Sequence, residues 1–230
     1  MRFTLTLIQI AAFSCALTTS AGAQTHQHDH NHDHEHTHNH AHDHSSKAGN
    51  NKTAAKGFFA DSDVKDRSLS DWEGDWQSIY PLLKTGALDS VMAHKAEQKK
   101  DKSADEYKQY YDTGYKTDIQ RLLIKNDTFT FYQNDNTYSA QYKYDGYRIL
   151  TYQAGNRGVR YQFTKQQGDA QAPGFIQFSD HIIAPQKVDH FHIYSGNEGH
   201  QKLSEELHNW PTYFPSAWSQ DNIIHDLMAH

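Results

Sequence analysis

Two features of this 230-residue sequence could do chemistry, and both are built from histidine. Ten of its 18 histidines alternate with other residues in one stretch, from His26-Gln27-His28-Asp29-His30 through to His44. Neutral imidazole is a common ligand for zinc, copper and nickel, and Asp29, Asp33, Glu35 and Asp43 add carboxylates that attract cations. Spacing at every second residue fixes no single coordination geometry. The stretch should therefore collect several ions weakly and exchange them quickly. Nearly all the intervening side chains are polar, so it has no face to bury and should be disordered without metal.

The second feature is sparser. His190-Phe191-His192 reads as part of a strand, where side chains two apart share a face, so its two imidazoles project together and Phe191 points the other way. His181 ends the preceding strand segment, which begins at Phe175. The intervening 182–189, with Pro185, is long enough to turn back, and antiparallel pairing would then bring His181 beside His190 and His192. Three neutral imidazoles on one wall are the protein half of a tetrahedral zinc site with one place open. Taken alone, a His-x-His strand is more simply two solvated side chains; the third histidine and the metal-collecting stretch favour a single site. Asp180 and Asp189 are the candidate acceptors for a ligand's other ring N–H. His94 falls on a Lys-rich helical surface, and His200, His208 and His225 read as surface or helix-end residues. His230, the last residue of the sequence, is a candidate to complete a coordination sphere in its own or a neighbouring chain.

The elements that must position these residues follow from hydrophobic period and turn signals. Leu69 to Tyr80 alternates large apolar with polar residues and predicts a strand. Pro81 opens a helical stretch to about Lys95, and Ser103-Ala104-Asp105-Glu106 matches a capping box followed by Tyr107, Tyr110 and Tyr111 at helical spacing. Between Asp118 and Ser195 the pattern predicts short strands over 119–124, 128–132, 138–144, 147–152, 159–163, 175–183 and 190–194. Asn126-Asp127, Asn134-Asp135-Asn136, Asp145-Gly146 and Gly155-Asn156-Arg157-Gly158 supply turns between them. So many short strands with almost no helix between them describe a mainly β fold, an antiparallel meander that closes into a barrel. Short helices over 203–208 and 219–228 should finish the chain, with Pro211 and Pro215 interrupting between them.

Residues 1–23 have the form of a secretory signal: Arg2, an apolar run from Phe3 to about Leu17, and Ala21-Gly22-Ala23 as a cleavage site. The only cysteine, Cys15, lies inside it, so a mature chain would have no disulfide, Cys-ligated zinc or thiol nucleophile. Residues 24–45 form the His-rich tail, 46–57 a flexible linker poor in apolar residues, and 58–230 the folded metal-binding domain. Lys plus Arg number 22 against 28 for Asp plus Glu, a net charge of -6, which argues against nucleic acid as a partner. Beyond the leader no run approaches the roughly 18 apolar residues of a membrane span.

Leu69-Ser70-Asp71-Trp72-Glu73-Gly74-Asp75-Trp76, Gly158-Val159-Arg160-Tyr161, Ile176-Gln177-Phe178-Ser179-Asp180-His181, His190-Phe191-His192-Ile193 and Asn209-Trp210-Pro211-Thr212-Tyr213 closely resemble the ZinT family of periplasmic zinc-binding proteins. The likeness runs from about Phe58 to His230. It implies a lipocalin-like (calycin) barrel with added helices, Gly74-Asp75-Trp76 matching the Gly-x-Trp signature of that superfamily. It also implies that His181, His190 and His192 are the zinc ligands, that Cd2+ is bound as well as Zn2+, and that the protein works in the periplasm. The partner implied is the periplasmic binding protein of a zinc ABC importer.

The function expected is therefore a non-enzymatic one. One Zn2+ is held tightly by the three histidines, further ions are held weakly by the tail, and the protein assists zinc delivery to the importer under zinc limitation. Two alternatives remain. A three-histidine zinc with an open position is also how a hydratase or hydrolase is built, although no Glu or Asp stands at a spacing that identifies a general base. By fold-level analogy, the barrel could also take an apolar ligand with metal incidental.

Overall fold

A computed structural model describes residues 53–229. The leader, the His-rich tail, most of the linker and His230 lie outside the described residues. The chain enters at a 3-10 turn, Ala54–Lys56, whose following residue Gly57 accepts a backbone hydrogen bond from Arg157. It then runs through a second 3-10 turn, Asp61–Asp63, to a third, Leu69–Trp72, before the barrel begins.

Eight antiparallel strands follow one another around a closed barrel in simple sequential order. They are β1 (Gly74–Ser78), β2 (Ile119–Lys125), β3 (Thr128–Gln133), β4 (Asn136–Thr151), β5 (Arg157–Gly168), β6 (Phe175–Ser179), β7 (Phe191–Gly196) and β8 (Thr212–Pro215). β8 closes the ring by pairing with both β7 and β1. The hairpins on either side of β3 turn at Asn126 and Asn134, which take left-handed backbone with φ of 53° and 51°. Asparagine tolerates that conformation better than most residues.

Between β1 and β2 lie α1 (Tyr80–Lys84), α2 (Asp89–Lys99) and α3 (Ala104–Tyr115); α4 (His200–Leu203) follows β7 and α5 (Gln220–Ala229) follows β8. The capping box at α3 forms as expected: Glu106 N–H donates to Ser103 Oγ at 3.2 Å and Ser103 N–H to Glu106 Oε2 at 2.7 Å.

Four expectations need correcting. Leu69 to Trp72 is not strand: a 3-10 turn there drives Trp72 into the end of the barrel, where it is fully buried. Asp145-Gly146 is not a turn, because β4 runs straight through it. The register against β5 shifts between Tyr144 and Tyr147, and Gly146 at φ +94° absorbs a bulge that bends the strand without ending the pairing. The eighth strand was missed because Pro211 and Pro215 bracket it, and proline at a strand end costs no ladder bond. The last helices also moved: the four residues of α4 precede most of the expected 203–208 helix, while α5 lies close to its expected place.

The barrel interior is packed with aromatic rings. Trp72 stacks on Phe178 at 4.8 Å and meets Phe163 edge-on at 5.7 Å, with Phe129, Phe131, Tyr161, Phe191 and Tyr213 fully buried around them. These rings form the hydrophobic core of the barrel. A second cluster forms outside the wall, where Leu83 of α1, Val91 and Met92 of α2, and Ile223 and Leu227 of α5 cover Ile79 and Phe214.

Candidate metal centre

Alternation along β7 sends Phe191 and Ile193 into the barrel core, leaving His192 on the outer face. His190 immediately precedes the strand and stacks on Phe214 of β8, ring centroids 5.0 Å apart. Across the ladder, Ser179 of β6 pairs with His192, so the chain leaving β6 arrives beside it two residues later at His181. His181 therefore lies just beyond β6 rather than within it, and adopts left-handed backbone at φ 66°. That conformation is uncommon for a residue with a side chain and is typical of functional positions.

The three rings form a nearly equilateral triangle, with centroids 6.3 Å (His181–His190), 5.7 Å (His181–His192) and 6.1 Å (His190–His192) apart. One ring nitrogen from each lies within 4.8 Å of the other two. Zinc–imidazole bonds of about 2.0–2.1 Å in a tetrahedron require nitrogens about 3.3 Å apart, so small side-chain rotations bring the trio into ligating geometry. His181 is exposed while His190 and His192 are half-buried, so an ion can arrive from solvent on the His181 side.

A buried arginine holds the loop that carries His181. Arg67 donates from Nε to Asp71 at 2.7 Å, from Nη1 to both oxygens of Asp180 at 2.8 and 2.9 Å, and from Nη2 to the Gln186 carbonyl at 2.8 Å. Its guanidinium lies 4.1 Å from the centroid of the Trp72 ring. Asp180 also accepts from Trp72 Nε1 at 2.8 Å and from the Ile182 backbone at 3.0 Å. Burial pushes the Asp180 carboxyl above the usual carboxylate range, against the pull of the Arg67 guanidinium. The 182–189 loop is pinned further by Lys65 N–H on the Ile183 carbonyl at 2.8 Å and by Gln186 N–H on Asp71 at 3.0 Å. The segment ahead of the barrel thus acts as a clamp on the loop joining two of the histidines.

Of the two sequence-predicted acceptors, Asp180 is held by Arg67 and Trp72, and Asp189 is exposed. Two residues that sequence reasoning missed stand beside ring nitrogens of the trio. Thr212 Oγ1 lies 2.8 Å from His192 Nδ1, and Asp226 Oδ2 lies 3.4 Å from His190 Nδ1. Thr212 has only the weak signal of a polar residue among Trp210, Pro211, Tyr213 and Phe214, and Asp226 follows His225 within the apolar face of a helix. Elsewhere, His200 is half-buried against Thr164 and Gln177, its imidazole pushed down by burial, while His208 and His225 are exposed and His94 lies on α2; none of them joins the trio.

Among known proteins, residues 50–230 match the model of the family described as "ZinT (YodA) periplasmic lipocalin-like zinc-recruitment". The chain belongs to the ZinT family. It is 53% identical over 175 residues to the probable metal-binding protein YrpE of Bacillus subtilis (strain 168), covering 76% of this chain and 69% of that protein. It is 49% identical to the zinc-binding protein AdcA of Streptococcus pyogenes serotype M1, but there 78% of this chain covers 35% of the relative, so this ZinT chain corresponds to about a third of AdcA. The crystal structure of the Zn(II)-bound ZinT-like domain of Streptococcus pneumoniae AdcA superposes with a TM-score of 0.75 at 44% identity, over 78% of this chain and 99% of that domain. The likeness to a ZinT-like domain confirms the expected lipocalin-like barrel with short added helices. No helix among the described residues is long and apolar enough to cross a membrane.

Proposed function

We propose that this protein is an exported zinc-binding protein that captures one Zn2+ tightly on His181, His190 and His192 and passes it on in the periplasm. The convergence of the three ring nitrogens within 4.8 Å at a solvent-facing edge carries this reading. Membership of a family described by zinc recruitment, and the zinc-binding names of its relatives, support it. The leader directs export, the His-rich tail collects further ions weakly, and Cd2+ competes at the same three imidazoles. The receiver is the periplasmic binding protein of a zinc ABC importer, a role consistent with the resemblance to part of AdcA.

Binding rather than catalysis is favoured by how the neighbouring carboxylates are engaged. Asp180 is held by Arg67 and Trp72, and Asp226 faces His190, so neither is placed to take a proton from a metal-bound water. Zinc-loaded protein should transfer its ion to the apo form of an importer binding protein, and should hydrolyse an activated ester and hydrate carbon dioxide no faster than free zinc. Turnover above free zinc without transfer would establish the hydrolase reading instead.

Two further results are expected. Deleting residues 24–50 should lower the number of zinc ions bound in calorimetry and leave one tight ion; loss of the tight ion would place the main site in the tail. Protons and metal also compete for the same imidazole lone pairs, and an ordinary imidazole titrates near pH ~6.5. Affinity should be flat above pH 7 and fall below about pH 6, with the slope approaching about tenfold per pH unit for each ligand protonated. Chelator competition giving equal affinity at pH 7 and pH 5 would refute ligation by histidine.

A further inference from the structure

We infer that Thr212 and Asp226 are positioning residues that set the ring tautomers of His192 and His190, so that both present Nε2 to the ion before it arrives. This rests on the reading of His181, His190 and His192 as the metal ligands. The Thr212 hydroxyl has one proton, and it is directed to the Trp210 carbonyl at 2.9 Å. With that proton on the Trp210 carbonyl, the oxygen 2.8 Å from His192 Nδ1 is left to accept, which favours the tautomer with hydrogen on Nδ1 and the lone pair on Nε2. Asp226 Oδ2 lies 3.4 Å from His190 Nδ1, within ion-pair distance but outside hydrogen-bond geometry, so its negative charge favours hydrogen on Nδ1 there too, with the ring held by its stacking on Phe214.

In water, neutral histidine favours the opposite tautomer, with hydrogen on Nε2. Without these acceptors, two of the three ligands would have to change tautomer before binding. The two residues come from different parts of the fold. Thr212 is the buried cross-strand partner of His192 on β8, whereas Asp226 projects from α5. The C-terminal helix is thereby part of the metal centre, not only a cover for the outer core. Groups in this position orient the ligand and raise its basicity, and removing one typically lowers metal affinity by about 10–100-fold.

The test uses the full mature chain with zinc chloride and a chromophoric chelator, alongside long-range 1H–15N spectra of the metal-free protein at pH 8. In the parent protein both His190 and His192 should show hydrogen on Nδ1. Thr212→Val should shift His192 toward the Nε2–H form and weaken zinc by about 10–100-fold, while Thr212→Ser restores both. Asp226→Leu should do the same to His190 alone, with Asp226→Asn shifting it less because its amide oxygen keeps a partial negative charge toward the ring. Melting curves of the metal-free variants identify any that fail to fold, and Thr212→Ser and Asp226→Asn then carry the comparison against the parent spectrum. A parent spectrum with hydrogen on Nε2 of either ring overturns the inference, as does a Thr212→Val protein whose zinc affinity stays within twofold. If the parent binds no zinc tightly although its tautomers are as stated, the functional reading fails and the positioning assignment stands.

Discussion

Replacing His192 by alanine is expected to abolish tight zinc binding while leaving the barrel intact. His192 occupies the outer face of β7 and contributes nothing to the aromatic interior, so its truncation removes a ligand without opening the core. Apparent binding energies for four-ligand structural zinc run to about 10–16 kcal/mol, which spreads to about 3 kcal/mol or more per ligand. Loss of one imidazole then costs roughly two to three orders of magnitude in affinity. The remaining His181 and His190 form a two-nitrogen site of the kind any solvated histidine pair provides. His200→Ala supplies the control: that imidazole is engaged with Thr164 and Gln177 away from the trio, so its loss should leave zinc affinity unchanged. Calorimetry or chelator competition reads both. An unchanged affinity in His192→Ala would show that the ion is held elsewhere.

The second large effect concerns folding. Arg67→Ala should destabilise the metal-free protein by about 3–5 kcal/mol in urea unfolding, the usual result of removing one partner of a buried ion pair. The guanidinium side chain is fully buried, as is its partner Asp180, so truncation strands a carboxylate and the Gln186 carbonyl away from water and also strips a cation from the face of Trp72. An exposed pair behaves differently. Lys84→Ala, which breaks the surface contact to Asp112, should change stability by less than about 1 kcal/mol. Because Arg67 also anchors the loop between His181 and His190, the variant should bind zinc more weakly even where it remains folded. Saturating zinc should recover part of the lost stability through mass action on the native state. A loss below about 1 kcal/mol in Arg67→Ala would mean that the clamp is ornamental and that the loop is held by its backbone bonds alone.

Much of this molecule is legible along the chain because its signals are local. Side chains two apart on a strand share a face in any barrel, so His190 and His192 could be paired on spacing alone, and Phe191 assigned to the core. Ser103 and Glu106 define a helix start by reaching each other's backbone, and Asn126 and Asn134 mark hairpins by tolerating left-handed geometry. The return of the chain between His181 and His190 needed only a loop of sufficient length, so the trio itself could be proposed before any coordinates.

What sequence pattern misjudged were the places where distant segments override local preference. The alternation from Leu69 onward reads as strand, yet the pull of Trp72 into the barrel end and of Arg67 and Asp71 onto the 182–189 loop makes a 3-10 turn of Leu69–Trp72. Asp145-Gly146 reads as a turn, but pairing with β5 on both sides carries β4 through it as a bulge. Composition and spacing thus determined by themselves the three candidate donor residues and the class of fold, since ligand chemistry and strand period belong to individual residues and their immediate neighbours. Only the tertiary structure decided which groups stand beside those residues. Thr212 reaches His192 because the barrel closes through β8, and Asp226 reaches His190 because α5 docks on the outer wall. Such contacts depend on how the closed sheet places remote segments in space, and no period or motif along the chain encodes that distance.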